Sequence, residues 1–290
     1  MTIQQRESWI QVGASDQVYL KEKWRDDAPR GPAILMIHGY NSLGALGNYD
    51  VPVKDFSAMD LFAARGYDVF ALDLRGFGKS AHPDSIGWED NVSDVHAATA
   101  FIRAQRDGAR VTLLGGSYGG AITYTVASRY PDLVDRLVLL ATPYRAMKPE
   151  GRAMLNMLVQ LADQKNLTYI PVPASDRPDA ATINSDPDVI KWRFEISQTS
   201  DLRVPVPPLR EMFTFAAADA VRGVRASTLV VVGDKDFIVS IEDTLALLND
   251  LGASEKSLIV VGNAGHGLMY ETRHRYIWGL IAQGLPPVSR

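Results

Sequence analysis

The run Val111-Thr112-Leu113-Leu114-Gly115-Gly116-Ser117-Tyr118-Gly119-Gly120 decides how this chain folds. Its apolar first part, 111–114, reads as a buried strand, and 121–130 reads as a helix. Between them, Gly115-x-Ser117-x-Gly119 has the spacing of a nucleophile elbow, in which a strand turns sharply into a helix. Such a turn holds Ser117 in a strained backbone conformation with its hydroxyl at the tip. Small residues two before and two after it let neighbouring backbone come close. The helix N-terminus behind the serine aims N–H groups at any negative charge that forms there. Taken alone, the motif also fits a glycine-rich packing turn. The strand before it and the helix after it supply the context that catalysis requires.

The chain on either side repeats the same alternation. Segments 8–12 and 18–24 alternate apolar with polar and predict a hairpin with one wet face. Ala33-Ile34-Leu35-Met36-Ile37 is a short, wholly apolar strand that ends in His38-Gly39-Tyr40. A helix is expected over 54–65 and a strand over 67–72, leading into Asp73-Leu74-Arg75-Gly76-Phe77-Gly78-Lys79-Ser80. A helix over 91–107 and, beyond the elbow, a strand over 137–141 follow. Strand–helix pairs resume with a strand at 228–232, a helix at 241–251, a strand at 257–261 and a helix at 272–282. This pattern predicts an α/β fold, a mostly parallel central sheet with helices on both faces.

Residues 144–225 break the alternation. Helices are expected over 151–165, 188–199 and 209–221, with a polar, proline-bearing stretch over 171–187. We therefore expect a core made of 1–143 and 226–290, and an inserted helical cap over 144–225. Inserts at the C-terminal ends of strands sit over the site in folds of this class. The insert's aromatics Tyr169, Trp192, Phe194, Phe213 and Phe215 suit either a dry pocket or the cap's own core.

Composition narrows the function classes. The chain has 290 residues, a net charge of −4 and no cysteine. Thiolate catalysis, disulfides and cysteine-held metals are thereby excluded. The acidic balance argues against nucleic-acid and anionic-membrane partners. Residues 1–6 are polar and no apolar run has the roughly 20 residues of a membrane span. The expectation is a cytoplasmic protein acting on a small-molecule substrate.

A serine hydroxyl needs a base, and that base needs a third group to orient it and stabilise its charge. Of five histidines, only His266 lies just past a buried strand in a glycine-rich loop, Gly262-Asn263-Ala264-Gly265-His266-Gly267. His96 and His274 fall in expected helices, His38 suits a backbone hydrogen bond, and His82 lies in a loop. Asp234 and Asp236 end the preceding strand, and either could serve as the third group. Ser117, one of these aspartates and His266 thus each follow a buried strand, and strand C-termini cluster along one sheet edge.

Five motifs in this order resemble the alpha/beta-hydrolase fold superfamily, in its serine-nucleophile, cap-bearing branch. They are His38-Gly39-Tyr40, Asp73-x-Arg75-Gly76-x-Gly78-x-Ser80, Gly115-x-Ser117-x-Gly119, Gly233-Asp234-Lys235-Asp236 and Gly265-His266. The resemblance implies Ser117 as nucleophile, His266 as base and Asp236, aligned with the family's Gly-x-x-Asp loop, as the acid. It implies the backbone N–H groups of Tyr40 and Tyr118 as the oxyanion hole. The elbow carries serine where haloalkane dehalogenases and epoxide hydrolases carry aspartate. The loop at His38 lacks the His-Gly-Gly-Pro-Gly of the proline iminopeptidases.

The expected activity is that of a serine hydrolase, esterase-like, cleaving a carboxylic ester, thioester or lactone through an acyl-enzyme, with no cofactor and no metal. The alternative uses the same triad for acyl transfer, elimination or C–C bond cleavage on a small hydrophobic metabolite. A third reading is a ligand-binding protein on a hydrolase scaffold. Arg145, Arg152, Arg193 and Arg210 could hold a substrate carboxylate or serve as solvated surface charge.

Overall fold

A computed structural model of the chain describes residues 2–172, 183–199, 202–215 and 217–288. Two strands open it, Ile3–Val12 (β1) and Asp16–Arg25 (β2), paired antiparallel. Ala33–Ile37 (β3) follows, with all its side chains buried. Ile34 and Met36 enter the core on one face, and Leu35 and Ile37 enter the core on the other. That two-sided burial is why the strand reads as a continuous apolar run.

Gly44–Asn48 (α1), Ala58–Ala64 (α2), Asp68–Leu72 (β4), Trp88–Ala104 (α3), Val111–Gly116 (β5), Tyr118–Arg129 (α4) and Val134–Leu140 (β6) come next. The segment after β6 carries Pro149–Lys165 (α5), Tyr169–Pro171 (β7), Pro187–Thr199 (α6), Arg203–Pro205 (β8), Val206–Met212 (α7) and Ala217–Gly223 (α8). Ser227–Gly233 (β9), Ile241–Asp250 (α9), Lys256–Val261 (β10) and His274–Ile281 (α10) complete the order.

The main sheet runs β1-β2-β4-β3-β5-β6-β9-β10. From β4 to β10 its strands are parallel, and β2 joins β4 antiparallel. Helices α3 and α4 bury apolar side chains on one face, and α2 and α10 on the other. β4 lies on one side of β3 and β5 on the other, so the strand order reverses there. Loops leaving an open α/β sheet at such a point part to form a crevice. The register carries this to single residues. Ile37 pairs with Gly115, and Gly116 with Leu140, so the loops after β3 and β5 leave the sheet side by side.

The segment between β6 and β9 departs from the sequence reading in two ways. The helix expected over 209–221 is two helices, α7 and α8. Phe213 and Thr214 close α7 with tight backbone bonds to Arg210 and Glu211, and the Phe215 ring packs 4.9 Å from that of Trp88. That tertiary contact draws the chain out of its helical path. β7 and β8 form an antiparallel ribbon that no alternation announced. Residues 173–182 of the proline-bearing stretch lie outside the described residues. In the core, the helix expected from residue 54 begins only at Ala58, because Asp55 adopts a φ of 68° and Ser57 caps the helix by accepting the Asp60 N–H. Among the described residues, no helix is long and apolar enough to cross a membrane.

Candidate active site

The elbow is built as tightly as its glycines suggest. Ser117 has φ 49° and ψ −117°, a region that side-chain-bearing residues rarely occupy. A methyl group on Gly115 would come within 2.5 Å of Thr123 Oγ1 and 2.6 Å of the Gly119 carbonyl oxygen. One on Gly119 would strike the His38 and Ile37 carbonyl oxygens. Helix α4 begins at Tyr118, directly after the serine, so the helix N-terminus adjoins Ser117.

The structure brings Ser117, His266 and Asp236 into one hydrogen-bonded line. Ser117 Oγ is 2.9 Å from His266 Nε2, and His266 Nδ1 is 2.8 Å from Asp236 Oδ2. The carboxylate can only accept, so Nδ1 carries the ring proton and Nε2 offers its lone pair to the serine hydroxyl. Asp236 has no exposed surface, and its Oδ1 accepts the N–H groups of Ile238 (2.8 Å) and Val239 (2.9 Å). Lys148 Nζ donates to the Asp236 carbonyl oxygen, which ties the start of α5 to this loop.

The other candidates stand apart. Asp234 Oδ1 accepts the Ala264 N–H at 3.3 Å and does not meet the ring. His38 is fully buried; its Nδ1 donates to the Gly39 carbonyl at 2.7 Å and its Nε2 accepts the Leu74 N–H at 3.1 Å. Burial pushes its pKa down to about 4, which suits this neutral, doubly engaged ring. His274 stacks on Phe56, His96 stacks on Tyr130, and His82 lies 5.7 Å from the Tyr169 ring.

Tyr40 and Tyr118 are side by side across the crevice, their rings 5.8 Å apart, edge to face. Among the described residues, neither of their backbone N–H groups meets an acceptor. The Tyr40 hydroxyl donates to Pro205 O at 2.8 Å, so this ring both borders the site and anchors the segment before α7. Asn48, which no motif marked, accepts the Gly39 N–H at 2.7 Å and so pins the loop next to Tyr40.

Ser117 and His266 open into a cavity of about 370 Å³. Its floor includes Gly39, Tyr40 and Tyr118, and its roof includes Met154, Leu155, Leu209 and Met212. Arg193 is the one arginine of the four candidates at this cavity, its guanidinium 4.6 Å above the Tyr270 ring. Arg145 pairs with Asp250, Arg210 with Asp163, and Arg152 stacks on Phe213. None of the five insert aromatics lines the cavity; Trp192 and Phe215, for instance, pack against the cores. Among the described residues, no cluster of three or more His, Asp or Glu side chains could hold a metal ion.

Comparison with known proteins agrees with this architecture. The chain is 26% identical over 258 residues to 2-hydroxymuconate semialdehyde hydrolase of a Pseudomonas species, covering 86% of each chain. It is 25% identical over 272 residues to 2-hydroxy-6-oxo-2,4-heptadienoate hydrolase of Pseudomonas putida, covering 87% of this chain and 88% of that one. Among solved structures, an esterase from Exiguobacterium antarcticum superposes with a TM-score of 0.68 at 18% identity, covering 96% of this chain and 99% of that one. The pattern of the family described as serine aminopeptidase, S33, matches residues 29–273. On that match the chain belongs to this family of alpha/beta hydrolases.

Proposed function

We propose that this protein is a serine hydrolase that cleaves a small, largely apolar carboxylic ester, thioester or lactone through an acyl-enzyme on Ser117. The observation that carries the reading is the line from Ser117 Oγ through His266 to buried Asp236 at a cavity with a mostly apolar lining. Ser117 Oγ attacks the carbonyl carbon while His266 Nε2 takes its proton. The tetrahedral oxyanion sits against the N–H groups of Tyr40 and Tyr118, a stabilisation of roughly 3–4 kcal/mol per donor. Collapse expels the leaving group, which takes the proton from His266. Water, activated by the same imidazole, then releases the acid. Asp236 fixes the tautomer and stabilises the imidazolium. In this reading residues 144–225 act as a cap whose apolar roof keeps bulk water out.

The family's aminopeptidase description does not suit this pocket. An aminopeptidase must hold a cationic amino group, yet among the described residues no Asp or Glu lines the cavity and Arg193 does. Arg193 instead suits a substrate carboxylate. That feature favours a second reading. The 2-hydroxy-6-oxo-heptadienoate named for one relative has a carboxylate and a ketone but no ester, so its hydrolysis must break a C–C bond. The same relay and oxyanion site could serve such a vinylogous diketone.

Intact-mass labelling with a small, uncharged fluorophosphonate tests the proposal. One adduct on the wild type and none on Ser117→Ala is expected. No adduct on folded wild type, or an adduct that persists in the variant, overturns it. Turnover of short p-nitrophenyl esters against a 2-hydroxy-6-oxo-dienoate then separates the two readings.

A further inference from the structure

Tyr40 and His266, the proposed donor and base, each follow a glycine whose N–H is taken by a side chain. Gly39 N–H donates to Asn48 Oδ1 at 2.7 Å, and Gly265 N–H donates to Glu271 Oε1 at 2.9 Å. Asn48 is held in turn. Its Nδ2 donates to the Tyr270 hydroxyl at 2.9 Å, and that hydroxyl donates to Gly47 O at 2.6 Å. Two loops that start from different strands are therefore tied to two adjacent residues, Tyr270 and Glu271. Asn48 and Tyr270 are each 6% exposed and Glu271 is wholly buried, so these ties compete little with water.

The inserted segment grips the same pair. Asp186 N–H donates to Tyr270 O at 3.1 Å, and Thr272 N–H donates to Asn184 O at 2.9 Å. Asn184 Nδ2 reaches Asn263 O at 2.7 Å in the His266 loop, and Arg193 lies over the Tyr270 ring. Ser185 and Glu271 form a β-bridge at the centre of this contact.

We propose that Tyr270 and Glu271 are positioning residues that set the Tyr40 oxyanion donor and the His266 base from a single brace, clamped by the inserted segment. The proposal rests on the serine-hydrolase reading. Neither side chain need touch the reacting atoms. Losing either tie lets a loop drift by fractions of an ångström, and the transition state, which needs donor and base together, feels this more than the bound substrate does.

Tyr270→Phe removes one hydroxyl and keeps the ring under Arg193. Glu271→Ala removes the acceptor for Gly265, and Glu271→Gln restores it. For short p-nitrophenyl esters, Tyr270→Phe and Glu271→Ala are expected to lower kcat by about 10- to 100-fold with KM within about threefold, while Glu271→Gln stays near wild type. Backbone amide exchange, read without any substrate, should quicken over 38–48 in Tyr270→Phe and over 262–268 in Glu271→Ala. Unchanged kcat in both, or exchange that rises uniformly over the chain, overturns the brace. Should Glu271→Ala fail to fold, Tyr270→Phe alone decides. A wild type that turns over no ester refutes the hydrolase reading instead, and the exchange pattern then decides the brace by itself.

Discussion

The buried carboxylate of Asp236 gives one oxygen to its own loop and the other to His266. Its orientation is fixed before the imidazole arrives, since two backbone N–H groups hold Oδ1. Asp236→Asn keeps that anchor and places an amide NH₂ against Nδ1. The ring must then carry its proton on Nε2, where it can no longer receive one from Ser117. We expect kcat to fall by about 10⁴-fold with little change in KM. Asp234→Asn keeps an acceptor for the Ala264 N–H and removes only a charge outside the relay, so it should stay within about twofold of wild type. Steady-state kinetics of both variants on one ester decides; the reverse ranking reassigns the acid.

Strain at the elbow gives a prediction about stability. Ser117 holds φ 49°, where a Cβ crowds the backbone and glycine does not. Ser117→Ala keeps the Cβ and the strain. Ser117→Gly relieves it, against a greater loss of chain entropy. We expect the glycine variant to be the more stable of the two by about 1 kcal/mol in urea unfolding, with both inactive. Equal or reversed stability would mean that the strain is no larger than the chain entropy glycine loses on folding.

How far the sequence carries is visible in these residues. Ala33–Ile37 and Ser227–Gly233 are legible as strands because burial on both faces leaves an unbroken apolar run. Ser117 and His266 could be picked out because each lies just beyond such a run, whereas position alone left Asp234 and Asp236 open and the resemblance to the family's Gly-x-x-Asp loop chose Asp236. Asn48, Tyr270 and Glu271 could not be picked out. Asn48 meets Tyr270 across 222 residues of chain, and no local pattern encodes that meeting. The break between α7 and α8 was hidden for the same reason, since the packing of Phe215 against Trp88, distant in sequence, competes with helical propensity. The contact of Tyr40 with Pro205 is equally long-range: its ring borders the cavity while its hydroxyl holds a residue 165 positions away.

Arg193 offers a test of substrate charge. Among the described residues it is the only Lys or Arg lining the cavity at Ser117, and no Asp or Glu lines it. Arg193→Gln should raise KM for a substrate bearing a carboxylate by about 10- to 100-fold, the loss of one charge-assisted hydrogen bond. A neutral ester of the same shape should be affected by less than about threefold, because packing alone is altered. Parallel loss on both substrates would place Arg193 in the architecture of the roof rather than in recognition.

Acid should expose the buried ring of His38. Folded, this imidazole donates from Nδ1 to Gly39 O and accepts the Leu74 N–H at Nε2, so a second proton has no place to sit. Burial accordingly pushes its pKa from 6.5 to about 4. Below pH 6.5 the unfolded chain binds a proton here that the folded chain refuses until about pH 4. Stability from this residue is therefore complete above 6.5 and drains away as the pH falls towards 4, by about 3 kcal/mol in all. Asp73 and Asp94 act in the opposite sense, since burial raises both to about 6 and the folded chain gains their protons first. The wild-type profile mixes these slopes, but a difference between two proteins that keep both aspartates removes them. His38→Gln retains an acceptor for Leu74 and cannot titrate. Urea unfolding at about pH 7 and about pH 4 should show the wild type losing up to about 3 kcal/mol more than this variant on acidification. Equal losses would show that His38 is protonated as readily inside the fold as outside it.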